Sequence, residues 1–179
     1  MSDRRTQIAE AALTVVASAG LKGLTHRAVD AAAAVPPGTT SNYFRNRAAL
    51  VAAVAGRIEQ LDLALWASLA AGAAPGSVEE LADQLADLVG LLTGEHATLT
   101  AARLAMSLDQ PEAAVAGHRR LLGGLEQVLA ALAVPEARSR ARAAADYADG
   151  LMLHALTVRR DEPLDRAAVA ATLRRVLGD

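Results

Sequence analysis

The chain contains no cysteine, which excludes disulfides, thiolate metal ligands and cysteine nucleophiles together. Aromatic residues are almost as scarce: one Trp, two Tyr and one Phe among 179 residues. A core so poor in rings must gain its burial from many small side chains. Long apolar runs are missing too, since the longest charge-free apolar stretch, 48–56, falls short of the roughly 18 residues a membrane span needs. The nearest approach to an export signal is Arg4-Arg5, an apolar stretch and then Ala17-Ser18-Ala19. Glu10 interrupts its would-be hydrophobic segment, and Gln7 and Thr14 dilute it. The expectation is a cytoplasmic protein with no membrane partner.

The short motifs of several catalytic classes are also absent. There is no G-x-x-x-x-G-K-[ST], G-x-G-x-x-G, G-x-S-x-G or H-E-x-x-H. Di-metal helical bundles need Glu-x-x-His pairs, whereas Glu95 here adjoins His96. The sequence therefore reads as a non-enzyme with no cofactor and no metal.

What is abundant is alanine, 44 of the 179 residues. With leucine and arginine also frequent, the composition selects an all-α fold. Periodicity and breakers divide the chain into about nine helices. The first runs over 3–19, with polar Gln7, Glu10, Thr14 and Ser18 on one side, and Gly20 ends it. Thr25 is placed to cap a second helix reaching about Ala33. Pro36-Pro37-Gly38 then break the chain before a short helix through Tyr43. Longer helices follow over about 47–71, 77–92, 95–108, 111–133, 135–160 and 164–177, the fourth continuing the apolar series Leu50, Val51, Val54, Ile58. Ser77-Val78-Glu79-Glu80 forms a capping box.

Charge is uneven along this framework. Residues 1–57 carry seven basic against three acidic side chains, whereas the remainder carries 11 against 17. A basic end on an acidic body suggests that the N-terminal part meets a polyanion. Helix, tight turn, helix, with Gly38-Thr39-Thr40-Ser41-Asn42-Tyr43 offering small polar groups and Arg45 and Arg47 following, is a helix-turn-helix candidate. Base edges are read by such donors and acceptors, and phosphates are met by flanking cations. The competing reading is a helical protein-interaction module without sequence-specific DNA binding.

These residues resemble the N-terminal domain of TetR-family (tetracycline-repressor-like) transcriptional regulators. The likeness spans Ile8 to Leu50, through Gly20-Leu21-x-x-Leu24-Thr25-x-Arg27-Ala28-Val29, Ala34-Val35-x-Pro37-Gly38-Thr39 and Tyr43-Phe44-x-Asn46-Arg47-x-x-Leu50. It implies a helix-turn-helix DNA-binding domain over 1–47 and a helical effector-binding and dimerisation domain over 48–179. In that scheme Thr25, Arg27, Tyr43 and Arg47 position the DNA backbone, and Thr39, Thr40, Ser41 and Asn42 face the major groove. Phe44 looks like the family's aromatic plug between the first helix and the helix-turn-helix.

Three departures stand out. Ala34 occupies a turn position usually held by Gly, which costs of order 1 kcal/mol if its φ is positive. Pro36 replaces the usual Ser or Thr cap, leaving the first N–H groups of the recognition helix to water or a phosphate. Ser41 replaces a common Tyr, which leaves Tyr43 to make the aromatic phosphate contact.

The resemblance further implies a repressor that binds a palindromic operator in double-stranded DNA as a homodimer and is released by a small-molecule effector. Polar or distinctive residues within the apolar body, namely Trp66, His96, Thr100, Arg103, Met106, His118 and Tyr147, are candidates for the effector pocket, with Arg103 hinting at an anionic ligand. His154 belongs with them by position. Two apolar stripes near the end of the chain, Ala141, Ala144, Ala148, Leu151 and Ala155 on one helix and Val169, Leu173 and Val176 on the next, are expected at the dimer interface. The alternative is that both stripes face their own core.

Overall fold

The computed structural model describes residues 4–178; Asp3, the expected start of the first helix, lies outside them. Among the described residues the protein is all helical, with nine helices and no strand: α1 (Arg4–Gly23), α2 (His26–Ala32), α3 (Thr39–Tyr43), α4 (Arg47–Ala70), α5 (Val78–Thr93), α6 (Ala97–Asp109), α7 (Pro111–Ala131), α8 (Ala137–Leu156) and α9 (Arg166–Leu177). No helix among them is long and apolar enough to cross a membrane. Two compact units result, Met1–Ala71 with Thr98–Ala114, and Gly72–Ala97 with Val115–Asp179.

In the first unit α1 buries Ile8, Ala12, Val15 and Val16 against Leu50, Val54 and Ile58 of α4. Gln7 is half-buried, and Glu10, Thr14 and Ser18 lie exposed, so the predicted amphipathic stripe is real. Gly20 leaves the helical conformation at φ 64°, ψ −178°, a region open essentially to glycine alone. From there the chain turns through Leu21 and Leu24, both buried, into α2. Leu99, Ala102 and Met106 of α6 close the same core. Full burial of a side chain such as Leu50 or Ile8 is worth about 1.5–3 kcal/mol, so this unit is anchored by many small contributions with the Phe44 ring among them.

The second unit is built on α5 and α9, with α8 packed on both. The Ser77 hydroxyl caps α5 by accepting the Glu80 N–H at 3.2 Å, and the Glu80 carboxylate accepts the Gly76 N–H at 2.7 Å. Leu81, Ala82 and Ala86 of α5 meet Leu125 and Leu129 of α7 and Ala170 and Leu177 of α9. Outside that core Arg166 grips Asp87 through two nitrogens at 2.5 and 2.9 Å, and Arg174 reaches both oxygens of Asp83 at 3.0 and 3.1 Å. The hydrogen bond from Arg166 holds the Asp87 carboxyl below its ordinary range.

The apolar stripes of α8 and α9 pack in part within this unit. Ala141, Ala144, Val169 and Leu173 are buried in this unit's own core, and Leu151 and Val176 pack against it half-buried. Ala148 and Ala155 are also half-buried. The opposite side of α8 is charged: Arg138, Arg142, Asp146 and Asp149 are exposed along it, ending at exposed Leu153.

Candidate nucleic-acid interface

Between α1 and α4 the chain forms a helix, a tight turn and a helix. Thr25, extended at φ −126°, caps α2 by accepting the Ala28 N–H at 3.1 Å. Its hydroxyl proton stays available to donate. Ala33 closes α2 and Ala34 follows at φ 52°. The positive φ anticipated at this non-glycine turn position is therefore present, and the Val35 N–H returns to the Asp30 carbonyl at 3.0 Å. Pro36, Pro37 and Gly38 lead into α3, with Gly38 left-handed at φ 88° and contributing no side chain to the cap.

The expectation that α3 opens on water or a phosphate is corrected by Asp30. From the middle of α2 its carboxylate accepts the Gly38 N–H on Oδ2 at 2.7 Å, and on Oδ1 both the Thr40 N–H at 2.7 Å and the Thr40 hydroxyl at 2.6 Å. Asp30 is 5% exposed and Thr40 fully buried. Thr40 therefore cannot face the major groove, because its side chain is turned inward to satisfy a buried carboxylate. Burial alone would raise the Asp30 pKa, but the hydrogen bonds from Thr40 and Gly38 and the nearby charge of His26 outweigh it, so the carboxyl lies below its ordinary range. Asp30, the only acid of α2, lies among Val29 and Ala31 to Ala33, and that interruption of an apolar series was the available signal.

The other end of α3 is tied as well. His26 Nε2 lies 2.6 Å from the Phe44 carbonyl, and Arg5 donates to the Tyr43 carbonyl at 3.2 Å while its guanidinium sits 4.6 Å from the centre of the Phe44 ring. Phe44 itself is buried in the core with α1. Arg47, expected at a phosphate, instead donates to the Leu24 and Leu21 carbonyls, both at 2.5 Å. These carbonyls end the α1 segment and precede α2, so Arg47 closes the turn that sets α2's direction.

On the outer surface remain Ser41, Asn42 and Tyr43, all exposed, with Thr39 half-buried and its hydroxyl donating to the Pro36 carbonyl at 2.6 Å. Arg27 and Arg45 are exposed and make no hydrogen bond or ion pair among the described residues. A groove of about 600 Å³ runs between α2 and α3, with His26, Arg27 and Asp30 on one side and Pro37, Gly38 and Ser41 on the other. Its free cation and exposed hydroxyl suit an anionic ligand carrying hydrogen-bonding edges.

The pocket candidates are dispersed. In the first unit Thr100 and Met106 are buried, Met106 as part of the core, and Trp66 is half-buried. Arg103 is ion-paired with Asp62 at 2.6 Å. In the second unit His96 is half-buried, Tyr147 packs half-buried on the core, and His118 and His154 are exposed.

A helical body joined to a helix-turn-helix unit with a polar outer face has the architecture of a helical transcriptional regulator. Residues 76–179 match the family model described as the tetracyclin repressor-like C-terminal domain. Among solved structures, a TetR-family member from Streptomyces coelicolor A3 is 27% identical with a TM-score of 0.72, over 99% of this chain and 100% of that one. The multidrug binding protein EbrR, complexed with proflavin, is 30% identical with a TM-score of 0.60, over 97% and 99% of the two chains. A transcriptional regulator from Rhodococcus sp. Rha1 shares the fold at a TM-score of 0.74 and 23% identity, covering 98% and 94%. Comparison with curated protein sequences finds no match. The chain belongs to the tetracycline-repressor-like, or TetR, family of transcriptional regulators.

Proposed function

We propose that this regulator binds a palindromic operator in double-stranded DNA as a homodimer, represses from it, and is released by a small-molecule effector. The observation that carries the DNA-binding reading is the outer face of α3: Ser41, Asn42 and Tyr43 exposed, with Arg27 and Arg45 exposed and unpaired among the described residues, on a helix tied at both ends. In this reading Asn42, Ser41 and Thr39 meet base edges, and Arg27, Arg45, Thr25 and Tyr43 meet the backbone. Asn pairs best with adenine.

The DNA-binding role is assigned to 1–47 and the effector and dimer roles to 48–179. Leu99, Ala102 and Met106 of α6 share the core of α1 and α4, so a displacement of α6 by an effector would reach the helices that carry α2 and α3. EbrR has been crystallised with proflavin and with malachite green, which supports a small-molecule ligand for this relative.

For the homodimer, the exposed charged side of α8 is a candidate surface alongside the half-buried members of the apolar stripes, Ala148, Leu151, Ala155 and Val176. Arg138, Arg142 and Asp146 are exposed and without partners among the described residues, with Asp149 on the same side. In an isologous contact between antiparallel α8 helices, residue i meets j as j meets i. With the two-fold axis at the level of Ala144, such a pairing sets Arg142 against Asp146 of the second copy, and Asp146 against its Arg142.

Selection on a randomised duplex pool tests the whole reading, followed by affinity against salt for the enriched and a scrambled sequence. An enriched inverted repeat with salt-dependent binding is expected. No enrichment and no salt dependence would sink it in favour of a protein-interaction module.

A further inference from the structure

The recognition helix candidate α3 has five residues, too few to hold a helical turn by their own hydrogen bonds. Its preceding residues, Pro36 and Pro37, bring neither an N–H nor a hydroxyl, and Gly38 brings no side chain. Besides the local bonds of Thr39 to the Pro36 carbonyl, its orientation rests on tethers from outside, and the Asp30 carboxylate is the tether at its entry among the described residues. We propose that Asp30 is the residue that positions the recognition helix, acting through Thr40 and the Gly38 backbone without touching DNA; this rests on the DNA-binding reading above.

The geometry explains why a carboxylate is needed there. Three donors converge on two oxygens at 2.6–2.7 Å, two on Oδ1 and one on Oδ2. An ionised carboxylate accepts on both oxygens, whereas an asparagine accepts on one and presents an N–H₂ donor on the other. Asp30→Asn would thus aim a donor at either the Gly38 N–H or the Thr40 N–H and push one of them away. At 5% exposed the carboxylate is out of reach of a phosphate or a base, so any effect on DNA must pass through the placement of α3. Because Asp30 stands in the middle of α2, its bonds fix α3 against α2 to within a hydrogen-bond length. That relation decides whether Ser41 and Asn42 reach base edges while Arg27 of α2 reaches the backbone.

The test uses the full chain, the operator enriched by the wild type and a scrambled duplex of the same length. Asp30→Asn is expected to lower the ratio of operator to scrambled affinity roughly tenfold to hundredfold, the weight of one hydrogen bond to a charged group expressed as an equilibrium ratio. The salt slope should stay unchanged, since no phosphate contact is lost. Thr40→Ser keeps the hydroxyl and should keep the ratio, while Thr40→Val loses it and should lower the ratio.

A purely structural role would instead lower the melting temperature and leave the ratio of the folded protein intact. If Asp30→Asn does not fold, Thr40→Val decides: a lowered ratio supports the assignment and an unchanged one overturns it. An unchanged ratio in folded Asp30→Asn, or an equal loss in Thr40→Ser, overturns it as well. A wild type that enriches no sequence would overturn the DNA-binding reading itself, and that outcome is visible before any variant is made.

Discussion

Arg47→Ala separates the two roles this residue could have. Arg47 makes two short hydrogen bonds, to the Leu24 and Leu21 carbonyls. A hydrogen bond to a charged group contributes about 1.5–3 kcal/mol; because Arg47 is exposed and the freed carbonyls can recruit water, the lower end applies, about 3 kcal/mol for the pair. For a chain of this size each kcal/mol moves the melting temperature by about 2–4 °C, so the variant should melt roughly 6–12 °C below the wild type. Arg47→Lys keeps a charge but not the planar fork, and should recover less than half of that loss. The assay is thermal unfolding followed by circular dichroism, paired with operator affinity measured against salt well below the transition. The structural role expects a lowered melting temperature and an unchanged salt slope. An unchanged melting temperature with a slope reduced by about one would show that Arg47 neutralises a phosphate, and the reasoning from its carbonyl contacts would be refuted.

Backbone strain gives a pair of opposite expectations. Relieving the left-handed Ala34 by Ala34→Gly recovers about 1–2 kcal/mol against a glycine entropy cost of about 0.5–1, so a small rise in melting temperature is expected. Gly20→Ala should lower it, through a loss of about 1–3 kcal/mol of stability, and equal effects of the two would contradict the φ assignments. The Asp30 carboxyl, held below its ordinary range, stabilises the folded chain fully above its unfolded value near 3.9 and loses that contribution as pH falls through the lower folded value. Asp30→Asn should therefore flatten the acid limb of melting temperature against pH, and an unaltered limb would count against the buried anion. Charge reversal at Arg142→Asp or Asp146→Arg should each weaken self-association in sedimentation, with the double variant restoring it; failure of the double variant would remove the α8 pairing. Asn42→Ala should relax base preference at one position of each half-site in a repeated selection, and an unchanged profile would take Asn42 out of the base-reading set.

Much of the fold was legible because alanine-rich helices are punctuated by a few strong signals. Gly20, the Thr25 and Ser77 caps and the prolines at 36, 37 and 111 stand at or within a few residues of helix ends, since each acts through its own backbone or the N–H groups of its own turn. Direction was harder to read. The buried stripe of α8 and α9 shows the same period whether a partner or the chain's own α5 covers it, because hydrophobic burial carries no label of whose atoms exclude the water. Thr40 sits in a polar run that reads as a solvated face, and it turns inward only because Asp30, ten residues earlier, is folded back beneath it by the Ala34 turn.

Arg47 is the sharpest case. A guanidinium seeks planar oxygen acceptors, and a helix-end carbonyl satisfies it as a phosphate does. Sequence spacing places the cation near the turn, but only the fold shows that the Leu21 and Leu24 carbonyls are already within reach. The same logic favours Arg27 and Arg45 as phosphate ligands: both are exposed and make no hydrogen bond or ion pair among the described residues.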